Sequence, residues 1–193
     1  AGEVLPAPEG NGSASDLLER LLAEFDQRDL LILQRRVFAE KPETLDVLGA
    51  ELGITREYVR QREAKAKTRV AAMVAEGELA GLAGVIRVAI VDVLPLRVLL
   101  QQFPSLAAAI DSMDAPVWRV LDRLDDSYEI RDDWAARPRV ADAVARTKAL
   151  LVRHATGRAY VEVATIDESS TVLTDEWLDY CGTKRLLGYA LVG

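Results

Sequence analysis

The stretch from residue 44 to residue 67 reads Thr44-Leu-Asp-Val-Leu-Gly-Ala-Glu-Leu-Gly-Ile-Thr-Arg-Glu-Tyr-Val-Arg-Gln-Arg-Glu-Ala-Lys-Ala-Lys67, and it decides the fold of this part of the chain. Three leucines in its first half, separated by three and four residues, lie on one face of a helix. Thr44 and Thr55 are each placed to cap the free amides of a helix N-terminus. Gly53, which lies between them, can adopt the left-handed conformation that ends a helix. The pattern therefore predicts two short helices joined at Gly53, a helix-turn-helix.

The second helix of this motif has an inward and an outward face. Ile54 and Val59 are expected to turn inward, and Gly49 lacks a side chain where the second helix must cross the first closely. The polar side chains left on the outward face are Arg56, Glu57, Arg60 and Gln61. Long donors and acceptors on one exposed face are what a recognition helix presents to the major groove of DNA. The motif is therefore interpreted as a DNA-binding element, with double-stranded DNA as its partner.

A longer similarity extends to both sides of the motif. Residues 25–38, which read Phe-Asp-Gln-Arg-Asp-Leu-Leu-Ile-Leu-Gln-Arg-Arg-Val-Phe, and the tail from Gly53 to Ala66 together resemble region 4 of the sigma-70 family of transcription initiation factors. In that family the second helix of the motif reads the promoter element near position minus 35, and the preceding helix docks on the flap of the RNA polymerase β subunit. The resemblance implies that residues 30–38 form a supporting, polymerase-facing helix. It also implies a set of DNA-contacting side chains, namely Thr44, Thr55, Arg56, Glu57, Tyr58, Arg60, Gln61 and Lys65.

Two residues depart from the family pattern. Tyr58 stands where the family usually carries Arg, and Arg62 stands where it usually carries an inward aliphatic residue such as Ile. The first change alters the DNA-facing surface, so that the sequence preference of the family does not transfer to this chain. The second places an arginine at a core position, so its guanidinium must reach out of the core while the apolar part of the side chain stays inside.

The charge distribution favours DNA contact over a purely structural helical hairpin. Residues 53–70 carry six Lys and Arg against two acids, a net charge of +4. Residues 1–52 have a net charge of −6 and residues 71–193 a net charge of −5. A positive helix in an acidic chain suits local contact with phosphates, because the acidic remainder repels indiscriminate binding.

The composition indicates a helical protein of a reducing compartment. Half of the 193 residues are hydrophobic but only 6% are aromatic, and Leu, Val and Ala dominate, which favours helices. Cys181 is the only cysteine, so no internal disulfide is expected. Residues 1–15 lack the basic segment of a signal peptide, and the longest apolar run, residues 85–94, is too short and too charged to span a membrane. These features predict a cytoplasmic protein without a membrane partner, and the resemblance implies a bacterial one.

Motifs for catalysis and metal binding are missing from the sequence. His154 is the only histidine, and one histidine with one cysteine cannot build a zinc cluster of imidazoles or thiolates. The acidic pairs 125–126 and 132–133 suit helix ends and turns better than paired catalytic carboxylates. No glycine pattern matches a phosphate-binding loop. The sequence therefore predicts a protein that is not an enzyme and uses no cofactor or metal.

Composition divides the chain into four segments. Residues 1–14 have the Pro, Gly and Ser content of a flexible linker. Residues 15–78 are predicted to form the sigma region 4-like domain, beginning with a helix at Ser15. Residues 79–136 are predicted to form a winged-helix-like domain, and residues 137–193 a second, cut-down winged-helix-like unit. The expected fold class is mainly α, a helix-turn-helix followed by winged-helix-like helical units with short β wings.

Local signals in the second half alternate between helix and strand. Residues 128–134 are predicted to form a strand, because apolar and polar side chains alternate there, and residues 159–166 a strand or an extended segment. Trp118 and Trp134 are predicted to pack in the core or against a wing rather than to line a cofactor site. The predicted helices are 95–103, 106–110, 115–124 with Pro116 in its first turn, 139–154, 173–182 and 183–191, the last two meeting at a corner formed by Gly182.

Three functions are compatible with these features. The first is a sequence-directed DNA-binding protein that regulates transcription or recruits RNA polymerase. The sequence contains no recognisable sigma region 2, the aromatic-rich helix with which the family melts promoters, so recruitment or repression is favoured over melting. The second is a DNA-targeting subunit of a larger defence or restriction complex. The third is an interaction scaffold, in which the acidic second half binds a protein partner.

Overall fold

The chain folds mainly into helices with a few short strands, as the sequence predicted. The computed structural model describes residues 12–155 and 171–188. These residues pack into two units. The first unit takes in the described residues up to Ile86 together with Leu100–Asp126. The second takes in Arg87–Leu99 together with the described residues from Ser127 onward.

The elements are numbered along the chain. The helices are α1 (Ala14–Leu22), α2 (Gln27–Ile32), α3 (Leu45–Leu52), α4 (Arg56–Glu76), α5 (Ala80–Ala89), α6 (Leu96–Gln102), α7 (Val117–Leu124), α8 (Val140–His154) and α9 (Asp175–Thr183). The strands are β1 (Val93–Pro95), β2 (Ala109–Ile110), β3 (Ala115–Pro116), β4 (Glu129–Arg131) and β5 (Trp134–Ala136). A π-helical turn, Leu33–Val37, extends α2.

Helix α1 begins at Ala14, one residue earlier than predicted, with Ser13 as its N-cap. The hydroxyl of Ser13 accepts the amide of Asp16 at 3.2 Å, and the Asp16 carboxylate accepts the amide of Ser13 at 3.1 Å. This reciprocal pair is a capping box, which satisfies two amides that a helix start leaves without partners. The prediction that the helix begins at Ser15 was wrong because Asp16 completes the box with Ser13.

The core of the helix-turn-helix is small and fully apolar. Ile32 of α2, Leu48 of α3 and Val59 of α4 are completely buried against one another. The partly buried side chains that pack against these three are Leu31, Leu45, Leu52 and Ile54. The predicted inward positions of Ile54 and Val59 are therefore confirmed.

A short β hairpin precedes α7 in the first unit. Strands β2 and β3 pair antiparallel, with Ala109 opposite Pro116 and Ile110 opposite Ala115. The helix predicted over 106–110 was wrong, because residues 104–107 form only a 3-10 turn and the chain then extends to reach β3. Pro116 lies just before α7, in extended backbone, rather than in its first turn.

The second unit contains a three-stranded antiparallel sheet. Its strand order is β1-β5-β4, with Val93 opposite Ala136 and Arg131 opposite Trp134. The single strand predicted over 128–134 was wrong, since Asp132 and Asp133, at φ +50° and +64°, turn the chain back on itself between β4 and β5. Positive φ at both central residues is characteristic of the type I′ turn, one of the two favoured two-residue hairpin turns. The chain order helix, strand, two helices and hairpin, with β1 paired to β5, is consistent with a winged-helix-like fold.

Aromatic side chains form the centre of the second unit. The rings of Trp134 and Trp177 meet edge to face with centroids 5.0 Å apart, and Tyr180 stacks on Trp177 at 5.3 Å. The indole nitrogen of Trp177 donates to the hydroxyl of Thr147 at 2.8 Å, so a polar group buried in α8 is satisfied. The predicted core position of Trp134 is confirmed, whereas Trp118 in the first unit is only half-buried.

The end of the described chain departs from the prediction. The helix predicted over 139–154 is confirmed as α8, and α9 begins at its Thr174 cap inside the predicted range 173–182. The corner at Gly182 was wrong, because α9 continues through Gly182 to Thr183 and residues 184–188 are not helical. The candidate strand 159–166 lies outside the described residues. The four-segment division stays a prediction, since packing alone does not define where independent domains end.

Candidate nucleic-acid interface

The two helices of the helix-turn-helix have the predicted N-terminal caps. The hydroxyl of Thr44 accepts the amide of Val47 at 3.2 Å, and the hydroxyl of Thr55 accepts the amide of Tyr58 at 3.2 Å. Gly53 has φ +65° and ψ +34°, the left-handed conformation that a residue without Cβ adopts at low cost. Both predicted caps and the predicted role of Gly53 are confirmed. The DNA contacts implied for Thr44 and Thr55 stay predictions.

Gly49 sets the close approach of α3 to the start of α4. A Cβ atom at this position would lie 2.9 Å from the carbonyl oxygen of Ile54, which belongs to the rigid turn. That oxygen cannot move away easily, because the amide of Ile54 donates to the Gly49 carbonyl at 2.9 Å. The two helices can therefore cross at this distance only with glycine here.

The side chains predicted to contact DNA on α4 all lie on its exposed surface. The Arg60 side chain is 61% exposed, and the Tyr58 residue is 43% exposed. The other members of this exposed set are Arg56, Glu57, Gln61 and Lys65. The structure thus brings six of the eight predicted residues onto one helix surface, and Thr44 and Thr55 cap the two helices of the motif beside it.

Glu57 organises its neighbours on this surface. Its carboxylate accepts from Nε and Nη2 of Arg60 at 2.8 and 2.7 Å, and from Nε2 of Gln61 at 3.0 Å. The hydrogen bonds from Arg60, followed by the one from Gln61, lower the pKa of Glu57 to about 2. The same contacts raise the pKa of Arg60. Hydrogen bonds therefore hold these three side chains together over the first two turns of α4.

Arg62 lies behind this surface and turns to α2. Its Nε donates to the Asp29 carboxylate at 2.8 Å, and its Nη2 donates to the Asp26 carboxylate at 2.5 Å. Its side chain is only 18% exposed. The Asp29 carboxylate, ahead of the other contacts, raises the pKa of the Arg62 guanidinium. The guanidinium leaves the core as expected, but the sequence reasoning did not find the two acids at the start of α2 that receive it.

Two further arginines hold the supporting helix in place. Arg35 donates to Glu43 at 2.7 Å and to Glu51 of α3 at 2.6 Å. Arg36 donates to Glu63 of α4 at 2.8 Å and also bonds the backbone carbonyl of Glu43. The apolar residues of the segment 30–38 are turned mostly inward. This segment therefore supports the motif as the resemblance implies, and its docking on RNA polymerase stays a prediction.

These ion pairs correct the charge argument. Two of the six basic residues between 53 and 70, Arg62 and Arg69, are directed at acids in the α1–α2 turn and at the start of α2, namely Glu24, Asp26 and Asp29. The net charge that the outward surface presents is therefore smaller than the +4 counted along the sequence. A spaced pair of acids at a helix start, such as Asp26 and Asp29, is the sequence signal that would have exposed this.

Two properties of the described residues bear on other kinds of site. Within residues 12–155 and 171–188, no group of three His, Cys, Asp or Glu side chains is placed to hold a metal ion. In the same part of the chain, no helix combines the length and the apolar character that crossing a membrane requires.

Comparison with known proteins identifies the motif. Residues 21–71 match the family model described as Sigma-70, region 4. No curated protein and no solved structure matches the chain. The matched residues contain α2, α3 and most of α4, with the caps and core described above. This segment is a sigma region 4-like helix-turn-helix, a DNA-binding motif of transcription proteins, and the family is regulatory rather than enzymatic.

Proposed function

We propose that this protein binds double-stranded DNA in a sequence-directed manner and acts in transcription, as a regulator or as a factor that recruits RNA polymerase. In this proposal α4 enters the major groove with its N-terminal turns. The observation that carries the proposal is the exposed, hydrogen-bonded group of Glu57, Arg60 and Gln61 on α4 of a sigma region 4-like motif.

The chemistry of this group fits base edges in the major groove. Arg pairs with guanine O6 and N7, Gln pairs with adenine N6 and N7, and Glu accepts from the amino group of cytosine. Because Glu57 already orients Arg60 and Gln61, less conformational entropy is lost when they meet a base. Arg56 at the start of α4 and Lys65 further along the helix are the residues proposed to contact phosphates.

Selection from a randomised duplex library at moderate salt tests the proposal. The chain should enrich one short motif, and an Arg56→Ala/Arg60→Ala variant should lose that enrichment. A matched control, Lys148→Ala/Arg153→Ala on the exposed surface of α8, removes the same charge far from the motif in sequence and should keep it. Flat recovery with the unmodified chain would refute sequence-directed binding.

Single substitutions then separate base contacts from phosphate contacts. Arg60→Ala or Gln61→Ala should weaken binding to the selected site by about 1–3 kcal/mol and relax specificity at one position. Lys65→Ala should weaken binding about equally on every sequence and reduce the salt dependence by about one counterion. Equal losses on all sequences for Arg60→Ala would leave only phosphate contact for that residue.

Recruitment of polymerase is a separate part of the proposal. If the segment 30–38 docks on the β-subunit flap, the chain should co-sediment with purified bacterial RNA polymerase and raise transcription from a promoter that carries the selected site. Selected DNA binding without polymerase binding would point to regulation by occupancy of the site.

A further inference from the structure

The two departures from the family pattern touch each other in the structure. Tyr58 and Arg62 are one helical turn apart on α4, where side chains four residues apart are neighbours. The guanidinium carbon of Arg62 lies 5.8 Å from the centroid of the Tyr58 ring, within cation–π range. The ring therefore rests against a cation rather than standing free in solvent.

That cation is itself fixed. Arg62 is bonded to Asp29 and Asp26 at 2.8 and 2.5 Å, and its side chain is only 18% exposed. Consecutive contacts thus connect the start of α2 to Arg62 and Arg62 to the Tyr58 ring. Such a ring loses little conformational freedom when it makes a further contact, because the protein has already restricted it.

The outer side of the ring remains available. Tyr58 is 43% exposed and lies beside the exposed Gln61 and Lys65 on the surface proposed to face DNA. Where the family usually carries Arg, this chain presents an aromatic ring. The apolar group that the base pairs present in the major groove is the C5-methyl group of thymine.

We propose that Tyr58 determines specificity by packing its ring on the C5-methyl group of a thymine, with Arg62 as the residue that positions the ring. The inference rests on the proposed function, since it requires α4 to lie in the major groove. Burial of one methyl-sized group contributes about 0.8 kcal/mol, which corresponds to roughly a fourfold change in the dissociation constant.

The experiment compares thymine with deoxyuridine, which lacks only the C5-methyl group. Each thymine of the selected site is replaced singly by deoxyuridine, and binding is measured by fluorescence anisotropy for the unmodified chain, Tyr58→Phe and Tyr58→Ala. One position should lose about fourfold in affinity with the unmodified chain. Tyr58→Phe, which keeps the ring, should show the same loss, and Tyr58→Ala should bind thymine and deoxyuridine equally at that position.

The outcomes separate the inference from the proposed function. A selected site at which no deoxyuridine substitution matters, or one at which Tyr58→Ala retains the full loss, overturns the thymine contact and leaves sequence-directed binding intact. A Tyr58→Phe variant that, like Tyr58→Ala, binds thymine and deoxyuridine equally also overturns it, because the effect then depends on the hydroxyl and not on the ring. Absence of any selected site refutes both proposals together.

Discussion

Arg62→Ile should destabilise the helix-turn-helix, although it restores the aliphatic side chain that sigma region 4 usually carries here. Asp29 and Asp26 place two carboxylates beside the position, and both accept hydrogen bonds from Arg62. An isoleucine would leave the two carboxylates without their cation.

The magnitude follows from the exposure of the partners. Fully exposed ion pairs contribute about 0.2–1 kcal/mol, whereas breaking a buried pair costs about 3–5 kcal/mol. The Arg62 and Asp29 side chains are 18% and 22% exposed, so their pair lies between these limits, and the pair with the exposed Asp26 lies near the lower one. Isoleucine recovers part of the loss by burying apolar surface. We expect a net decrease of about 1–2 kcal/mol in the free energy of unfolding.

Urea unfolding of the full chain measures this decrease. Hydrogen exchange of the α2 and α4 amides in the folded protein shows whether the decrease lies in the helix-turn-helix. Arg69→Ile is the matched control, because Arg69 lies on the same helix and its pair with Glu24, at 3.5 Å, is exposed on both sides. It should change the stability by less than about 1 kcal/mol, because the exposed ion pair and the contact of the guanidinium with the Phe25 ring, 4.5 Å from its centroid, are both weak. An Arg62→Ile variant as stable as the unmodified chain would refute the reasoning.

The ion pair between Arg62 and Asp26 also predicts how the stability depends on pH. The pKa of Asp26 is lowered, first by the backbone amide of Asp29 and then by Arg62. A carboxylate whose pKa is lowered by folding stabilises the protein above its unfolded pKa, and this contribution is lost as the pH falls through the folded value. The difference in the free energy of unfolding between the unmodified chain and Arg62→Ile should therefore become smaller as the pH falls below 3.8, the ordinary pKa of an aspartate.

Three further predictions concern other parts of the chain. DNA affinity should vary less than about threefold between pH 5.5 and 8 in an anisotropy titration. The hydrogen bonds from Arg60 hold the pKa of Glu57 at about 2, so the carboxylate stays ionised over this range. A tenfold change in affinity would contradict this. Gly49→Ala should lower the free energy of unfolding by about 1–3 kcal/mol in thermal melts, since its Cβ would meet a backbone oxygen at 2.9 Å, whereas Gly81→Ala, with no atom within 4 Å, should cost nothing. Cys181 is fully buried, and burial raises the pKa of its thiol to about 11. Thiol reagents at pH 8 should therefore modify it far faster in the unfolded chain than in the folded one. Equal modification rates in the two states would mean that the second unit is not packed as described.

The helix-turn-helix was predictable because its determinants are local. Each cap acts within three residues, Gly53 acts through its own backbone, and the leucine spacing acts within one helix. The exposed surface of α4 follows from the same periodicity once Val59 is known to be buried. Such features can be read from a short window of sequence, and the structure places them as expected.

The errors arose where distant residues decide the local structure. Residues 128–134 alternate correctly for a strand, yet the turn at Asp132 depends on β5 pairing back to both β4 and β1. The stretch 106–110 has an ordinary helical composition, but Ala109 and Ile110 extend because β3 offers them hydrogen-bonding partners. Tertiary pairing overrides local propensity in both cases.

The ion pairs of α4 show a third kind of distance effect, and it bears on function. Along the sequence, Arg56, Arg60, Arg62 and Arg69 count alike as positive charge. In the fold, Arg62 and Arg69 face acids at the start of α2 and in the turn before it. Arg60 pairs within α4, and Arg56, although it lies 3.6 Å from Asp46 of α3, remains 68% exposed on the outward surface. The helix is therefore divided lengthwise into an edge that holds the motif together and a surface that is available to DNA. Substitution of Arg62 at the inner edge should change stability and leave the salt dependence of DNA binding unchanged, while substitution of Arg56 or Arg60 on the outward surface should do the reverse. Tyr58 is the residue at which the two roles meet, because its ring is held by the inner edge and exposed on the outer surface.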